Sequence, residues 1–216
     1  MNSKLLIIGC GGHGNVIADV AEKLNIFNEI SFLDDKFLGS NSSKFINSKR
    51  VIGEISIENL RRFSAEFSHG FIGIGDNILR IKWLNIINEI GFNIPSIIDP
   101  SAEVSKYAFI EKGSFINANV VIQCNVLIKS GCIINTSSTI DHDSNIGEGV
   151  HISPGVNIGG NVNIGKTTWI GIGSKIINNV NIGENVLVGA GSLVLKNIPN
   201  NIQAFGSPTK IIKKIQ

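Results

Sequence analysis

The sequence predicts a mainly β protein in which a small Rossmann-like βαβ unit precedes a parallel β-helix built from six-residue repeats. Three observations indicate this fold. Ile or Val occupies every sixth position from residue 98 to residue 194. Before residue 98 this period is absent, and an apolar strand leads into a glycine-rich turn and an amphipathic helix. The 216 residues also include 24 glycines and few aromatic residues, which suits short strands and tight turns.

Composition excludes several classes of partner and location. The formal net charge is only +2, and the one basic cluster is the short run of lysines within residues 210–214, so nucleic acid is not expected as a partner. No apolar run is long enough to cross a membrane, and Met1–Gly9 is typical of a strand and not of a signal peptide. Cys10, Cys124 and Cys132 show neither metal nor disulfide spacing. We therefore expect a cytoplasmic protein without a metal.

The six-residue period decides the architecture of residues 96–198. Seventeen consecutive repeat positions hold Ile or Val without a slip: Ile98, Val104, Ile110, Ile116, Ile122, Ile128, Ile134, Ile140, Ile146, Ile152, Ile158, Ile164, Ile170, Ile176, Ile182, Val188 and Val194. Three residues later the chain mostly carries Gly, Asn or Asp, which tolerate left-handed turns, and four residues later it carries a small or β-branched residue. A β-sandwich, the alternative, has turns every 8–12 residues and no strict period of six.

Each repeat is interpreted as a short strand and a corner, so three consecutive repeats form one triangular coil. Stacked coils then place equivalent apolar side chains in inner ladders, one of which contains Ile98, Ile116, Ile134, Ile152, Ile170 and Val188. Burial of each such side chain is worth about 1.5–3 kcal/mol, so these ladders are the expected core. Residues 199–216 are predicted as a C-terminal tail.

Residues 1–95 are predicted as the Rossmann-like unit. Its predicted elements are the strand Lys4–Gly9, the helix Asn15–Leu24, the strand Glu29–Leu33, the strand Phe71–Ile74 and the helix Ile78–Ile90. Gly9, Gly11 and Gly14 fit the G-x-G-x-x-G pattern, in which glycines let the backbone and a helix N-terminus approach a phosphate. A mononucleotide-sized ligand is favoured over NAD because the unit is short, and a glycine turn used only for packing is the third interpretation.

Several motifs together resemble one family. The turn Gly9–Gly14, the strand end Phe32–Asp35, the turn Gly73–Asn77 and the repeats are similar to the sialic-acid O-acetyltransferase and nucleotide-sugar 4-amino N-acetyltransferase family of hexapeptide-repeat acyltransferases. The resemblance covers nearly the whole chain and implies a left-handed β-helix and a homotrimer with active sites between neighbours. It implies that the N-terminal unit binds the nucleotide-sugar through Gly11, Gly12, His13, Asp34, Asp35 and Gly75.

The resemblance also implies the reaction. An acetyl group would pass from acetyl-CoA to the 4-amino group of a UDP- or dTDP-linked 4-amino-4,6-dideoxy sugar, in the synthesis of bacterial surface glycans such as lipopolysaccharide. Sialic-acid O-acetylation is the alternative reaction, and a non-catalytic nucleotide-sugar-binding scaffold is the alternative without catalysis. A zinc carbonic anhydrase with the same prism needs three convergent histidines, and the repeats contain only two.

The segment Asn135–Asp143 resembles the family's catalytic stretch and implies that His142 is the general base and Asp143 its orienting carboxylate. A neutral imidazole with a pKa near 6.5 can remove the proton that an attacking amine must lose. Asp141 is an alternative base, although its repeat position points it outward. Taken alone, a histidine at a repeat corner is more often a solvated surface residue.

The resemblance to this family also implies which residues contact acetyl-CoA. His151 matches a histidine beside the acetyl thioester, and Ile172 and Ala190 match positions whose backbones line the pantetheine arm. The segment Gly206–Lys210 is similar to the family's C-terminal Gly-x-Pro-Ala-Lys motif, with Thr209 in place of Ala.

Overall fold

The computed structural model describes residues 3–35, 45–46 and 48–215. The chain divides into two compact units, Met1–Ile97 and Ile98–Gln216. Each unit has its own hydrophobic core, and each is described by itself.

The first unit is an α/β sheet. Its elements in chain order are β1 (Lys4–Ile8), α1 (Gly12–Lys23), β2 (Glu29–Leu33), β3 (Phe45–Ile46), β4 (Lys49–Gly53), α2 (Ile57–Phe63), β5 (His69–Ile72) and α3 (Asn77–Ile90). The sheet order is β3-β4-β2-β1-β5. The strands β4, β2, β1 and β5 are parallel, whereas β3 pairs with β4 antiparallel. The carboxyl ends of β2, β1 and β5 therefore lie side by side.

Most of these elements were predicted from the sequence, but some of their observed boundaries differ from the predicted ones. The first helix begins at Gly12, earlier than predicted, because the extended backbone of Gly11 already caps it. The strand predicted at Phe71–Ile74 begins instead at His69, whose backbone is paired with Leu5 of β1. The strand β4 and the helix α2 were not predicted. Ser56 caps α2 through its side chain, which accepts a hydrogen bond from the Asn59 amide.

Gly9 and Gly14 are required by the turn between β1 and α1. Gly9 has a φ of 100°, in the left-handed region that favours glycine. A Cβ atom on Gly14 would overlap the carbonyl oxygen of Gly9. These two glycines of the pattern therefore serve local packing, whereas Gly11 faces open space.

The second unit is a parallel β-helix of seventeen two-residue strands followed by two longer ones. The two-residue strands β6–β22 are Ile97–Ile98, Glu103–Val104, Phe109–Ile110, Phe115–Ile116, Val121–Ile122, Leu127–Ile128, Ile133–Ile134, Thr139–Ile140, Asn145–Ile146, His151–Ile152, Asn157–Ile158, Asn163–Ile164, Trp169–Ile170, Lys175–Ile176, Asn181–Ile182, Leu187–Val188 and Leu193–Val194. They form three sheets, in which each strand pairs with the strand three repeats later, as in Ile134 beside Ile152.

The predicted ladders are confirmed. Ile116, Ile134, Ile152, Ile170 and Val188 are fully buried in one ladder, and Ile98 packs against the same core. The small residue four positions later is mostly buried as well. Where it is a buried serine or threonine, its hydroxyl can donate to a backbone carbonyl, as Ser144 does to Gly159.

The corners also adopt the predicted conformation. Between residues 113 and 191, Gly, Asn and Asp at the corner positions have φ values between 51° and 70°. Ser137 and Thr167 adopt the same conformation at two further corners of this range, so the coil imposes it there without Gly, Asn or Asp.

Residues 199–216, predicted as a tail, contain two strands. β23 (Ile202–Phe205) pairs in parallel with β21 and extends one sheet of the β-helix. β24 (Lys210–Lys214) pairs with β23 antiparallel.

Candidate active site

His142 lies in a corner of the β-helix, between β13 and β14. Its Nδ1 atom is 2.7 Å from Oδ2 of Asp143, whose φ of 59° turns the carboxylate back toward the ring. Asn125, one coil below, donates from Nδ2 to Oδ1 of Asp143 at 3.0 Å. The Asp141 carboxylate accepts a hydrogen bond from the His142 amide at 2.8 Å. Asp143 is therefore held from two sides, and it fixes the His142 imidazole.

The electrostatics of this pair suit a general base. The hydrogen bond to Asp143, with the charge of Asp141 second, raises the pKa of His142 above its usual value. The same hydrogen bond lowers the pKa of Asp143. Both side chains are about half exposed, at 51% and 52%, so a substrate can reach them. With Nδ1 protonated toward Asp143, Nε2 carries the lone pair that can accept a proton.

His151 lies on the outer side of β15, in a different sheet. Its imidazole stacks on the Trp169 indole, with ring centroids 5.1 Å apart and planes 13° apart. Trp169 donates from Nε1 to the Ser153 hydroxyl at 2.8 Å, and Asn135 Nδ2 lies 3.4 Å from His151 Nε2. These contacts fix the orientation of both rings on the outer side of the β-helix.

The stacked rings of His151 and Trp169 line a mainly apolar groove of about 410 Å³. It contains His151, Ile172 and Ala190, the three residues predicted to contact acetyl-CoA. Its other lining residues are Ser153, Pro154, Trp169, Gly171, Leu187, Val188, Gly189 and Phe205. Sequence reasoning missed Trp169 and Phe205. The signal for Trp169 was present, because it stands three repeats after His151 and so directly beside it on the next coil.

The predicted catalytic pair and the groove lie on different sides of the prism. His142 and Asp143 occupy the corner between the sheets that contain β13 and β14, whereas His151 belongs to β15 in the third sheet. Within the described part of the chain, neither His142 nor Asp143 lines the groove.

The first unit gathers the residues predicted to contact the nucleotide-sugar. Gly11, Gly12 and His13 follow β1, Asp34 and Asp35 follow β2, and Gly75 follows β5. These three strands are adjacent and parallel, so all six residues lie at one edge of the sheet. A Cβ atom on Gly11, Gly12 or Gly75 would meet nothing within 4 Å, so the edge is open there.

Asp34 also has a structural contact at this edge. Its Oδ2 atom accepts a hydrogen bond from the Cys10 amide at 2.8 Å, which ties the end of β2 to the glycine-rich turn. The adjacent Asp35 side chain is exposed.

A buried arginine lies beside His13, and sequence reasoning missed it. Arg80 on α3 is 1% exposed and donates to the carbonyl oxygen of Gly75 at 2.8 Å and to the Asn77 side chain at 2.7 Å. Burial, together with the Arg80 charge, lowers the pKa of His13 to about 4, so His13 is neutral at pH 7. Arg80 thus shapes the Gly75 turn and contributes to the neutral state of His13.

In the part of the chain that the structure describes, no helix has the length and apolar character that a membrane span requires. The same residues contain no group of three or more His, Cys, Asp or Glu side chains that could hold a metal ion.

Two family models match the chain. Residues 4–87 match the PglD N-terminal domain, and residues 161–196 match the bacterial transferase hexapeptide family of six repeats. No curated protein matches the sequence.

Solved structures match over nearly the full length. The acetyltransferase domain of PglB from Neisseria gonorrhoeae, in complex with acetyl coenzyme A, is 37% identical, with a TM-score of 0.91 and coverage of 98% of this chain and 100% of that one. PerB from Caulobacter crescentus, in complex with CoA and GDP-perosamine, is 31% identical, with a TM-score of 0.87 and 98% of each chain covered. WeeI from Acinetobacter baumannii, at 22% identity, shares the fold with a TM-score of 0.86 and covers 98% of this chain and 100% of that one.

These matches confirm the left-handed β-helix that the resemblance implied. They extend across both units, and at 37% identity over whole chains the similarity exceeds a shared fold. The chain therefore belongs to the hexapeptide-repeat, acetyl-CoA-dependent sugar N-acetyltransferases that carry a PglD-type N-terminal domain.

Proposed function

We propose that this protein transfers the acetyl group of acetyl-CoA to the 4-amino group of a nucleotide-linked 4-amino-4,6-dideoxy sugar, with UDP or dTDP as the nucleotide. The observation that carries the proposal is the His142–Asp143 pair, in which a carboxylate 2.7 Å from Nδ1 leaves Nε2 as the basic nitrogen. The PerB structure, which contains CoA and GDP-perosamine, supports the chemical class of both substrates and adds GDP to the nucleotides to be tested.

His142 performs the proton transfer in this proposal. Its Nε2 accepts the proton that the sugar amine loses as the amine nitrogen bonds to the acetyl carbon and the carbon–sulfur bond to CoA breaks. The same proton can then return to the CoA sulfur as it leaves, so the base is restored. Asp143 stabilises the imidazolium that forms between these two steps.

The apolar groove of the β-helix is the proposed acetyl-CoA site. Its residues fit a slender apolar arm, because Gly171 and Gly189 line it without side chains, together with the indole of Trp169 and the ring of Phe205. His151 lines the same groove, and one of its ring nitrogens would contact the thioester. Ile172 and Ala190 offer backbone contacts to the arm.

The sheet edge of the first unit is the proposed nucleotide-sugar site. Gly11, Gly12 and Gly75 leave the space, and the N-terminus of α1 offers amide groups and positive potential to a phosphate. His13 is neutral there and acts as a hydrogen-bond partner and not as a cation. Asp34 and Asp35 would accept hydrogen bonds from the sugar or base.

We also infer that the working enzyme is a homotrimer. His142 and the groove lie on different sides of one prism, so a base from one copy meets a groove only if a second copy packs beside it. Cyclic assembly of three copies then repeats the same composite site three times. The cytoplasmic location and the role in bacterial surface glycan synthesis stay predictions.

One assay tests the proposed reaction. Purified protein is incubated with acetyl-CoA and, separately, with UDP-, dTDP- and GDP-linked 4-amino-4,6-dideoxy sugars, and release of CoA thiol is followed together with the mass of the product. We expect a gain of one acetyl group on an amino sugar. Acetylation of a sialic acid hydroxyl in a parallel arm would instead support the O-acetyltransferase, and no transfer in any arm would support the binding scaffold.

A further inference from the structure

The corner one coil above His142 contains a glycine that the repeat itself does not require. Gly160 stands three repeats after His142, at the second position after Ile158. Across the seventeen repeats this position holds Pro, Lys, Ala, Cys, Ser, Thr, His, Glu, Ile or Asn, and it holds glycine once, at residue 160. Gly160 does not have a positive φ, so any other residue could adopt its backbone conformation. A local reason for glycine must therefore lie outside the backbone.

The His142 ring supplies that reason. A Cβ atom on Gly160 would lie 2.8 Å from both Cε1 and Nε2 of His142 and 3.3 Å from Cδ2. Real Cβ atoms essentially never approach another heavy atom closer than 3.0 Å, so the ring in this position and a side chain at residue 160 exclude each other. The imidazole thus rests against the bare backbone of Gly160 with its Nε2 edge, while its Nδ1 edge holds Asp143.

We propose that Gly160 is a positioning residue of the active site, whose missing side chain gives the His142 ring the space to keep its bond to Asp143 and to aim Nε2 at the substrate. This rests on the proposed role of His142 as the base. A methyl group at residue 160 should displace the His142 ring and not the backbone. The ring is the mobile end of a half-exposed side chain, whereas the backbone is held by the hydrogen bonds of the β-helix. The fold therefore survives the change and the orientation of the base does not.

Among the described residues, the titratable groups beside His142 are Asp141 and Asp143 in its own corner and the Cys124 thiol in the corner below. Asn125 also lies in the corner below, and Gly160 and Asn161 lie in the corner above. The bond to Asp143 is the largest cause of the raised pKa of His142. If the His142 ring is displaced from Asp143, the pKa of His142 should therefore fall, and a titration of this histidine would show it.

The first measurement is an NMR titration of His142, assigned by the signal that disappears in His142→Ala. In Gly160→Ala we expect the His142 pKa to fall toward 6.5 and kcat to drop by about 10- to 100-fold, the scale of a misplaced catalytic group, with the KM for acetyl-CoA unchanged. A control is Lys166→Ala, which leaves a side chain of the same size at the equivalent position of the next corner and should change neither quantity.

The second measurement is a double-mutant comparison. In the His142→Ala background, Gly160→Ala should cause no further loss of the residual rate, because the ring it displaces is gone. An additional loss of more than about threefold, or an unchanged His142 titration in Gly160→Ala, would overturn the inference. If the titration moves while kcat stays at the wild-type value, the contact stands and the assignment of His142 as the base fails.

Discussion

The function of single residues here depends on how the backbone of a corner aims a side chain. Asp143 occupies a position where equivalent corners carry Asn, as at Asn125, Asn161 and Asn179, and all of them adopt positive φ. The repeat needs only a residue that tolerates this conformation, but the carboxylate adds a charge next to His142. Asp143 therefore has two roles: it forms the corner of the repeat, and it orients the His142 ring in the proposed catalytic pair.

Substitution of the base should affect turnover and not assembly. His142→Ala should lower kcat by about 10²- to 10⁴-fold, the usual contribution of a general base, with little change in either KM. The half-exposed ring contributes little to packing, so the thermal unfolding midpoint should stay within error of wild type. A His142→Ala protein with wild-type turnover on the preferred amino sugar would refute the mechanism.

Asp143→Asn offers a matched change, because Asn fits the same backbone conformation. In wild type the hydrogen bond to Asp143 raises the His142 pKa, and the base works when neutral, so the rate should rise with pH through a pKa above 6.5. Removal of the carboxylate charge should move this limb of the pH–rate profile to lower pH and lower the plateau less than His142→Ala does. If the rising part of the pH–rate profile stayed at the same pH in Asp143→Asn, the group that controls it would not be His142.

His13 should make the first unit sensitive to acid. Its folded pKa of about 4 lies below the ordinary 6.5, so between these values the unfolded chain binds a proton that the folded chain does not. Stability is therefore lost as the pH falls from about 6.5 toward 4, by up to about 3 kcal/mol. Urea unfolding at pH 7 and pH 4.5 should show a smaller loss in His13→Asn than in wild type, and equal losses would contradict the assignment.

At the scale of elements, two-residue strands are stable only as members of a ladder. Ile152 is fully buried between Ile134 and Ile170, so Ile152→Ala should lower the free energy of unfolding by about 2–5 kcal/mol. Lys175→Ala, on the exposed side of another short strand, should change it by no more than about 0.5 kcal/mol. Urea titration of both variants measures the difference, and similar losses would mean that the ladder does not dominate stability.

At the scale of the whole molecule, the prediction is that the base and the groove act between copies. His142→Ala removes the base, and Ala190→Trp fills the groove, so each variant alone should be nearly inactive. Refolding the two variants together in equal amounts should restore activity in mixed trimers. Half of the corners then carry His142 and half of the grooves are open, so about one site in four has both. No recovery, despite mixed trimers by mass, would place both halves of the site in one chain.

The sequence by itself determined the β-helix, its ladders and its left-handed corners. These features follow from a local period, because the same short pattern of apolar, small and turn residues recurs at every coil. The first helix was predicted separately, from apolar residues at helical spacing. The period did not identify His142 and Asp143, nor the groove residues His151, Ile172 and Ala190. The resemblance of these segments to a known family identified them.

The tertiary structure decided what depends on contact between coils or elements. The stacking of Trp169 on His151, the space that Gly160 leaves for His142 and the pairing of β23 with β21 all join residues of adjacent coils. The buried Arg80 beside His13 joins a helix to a turn far along the chain. Such contacts depend on distances between side chains in adjacent layers, and a one-dimensional pattern specifies which residues are adjacent without specifying which of them touch.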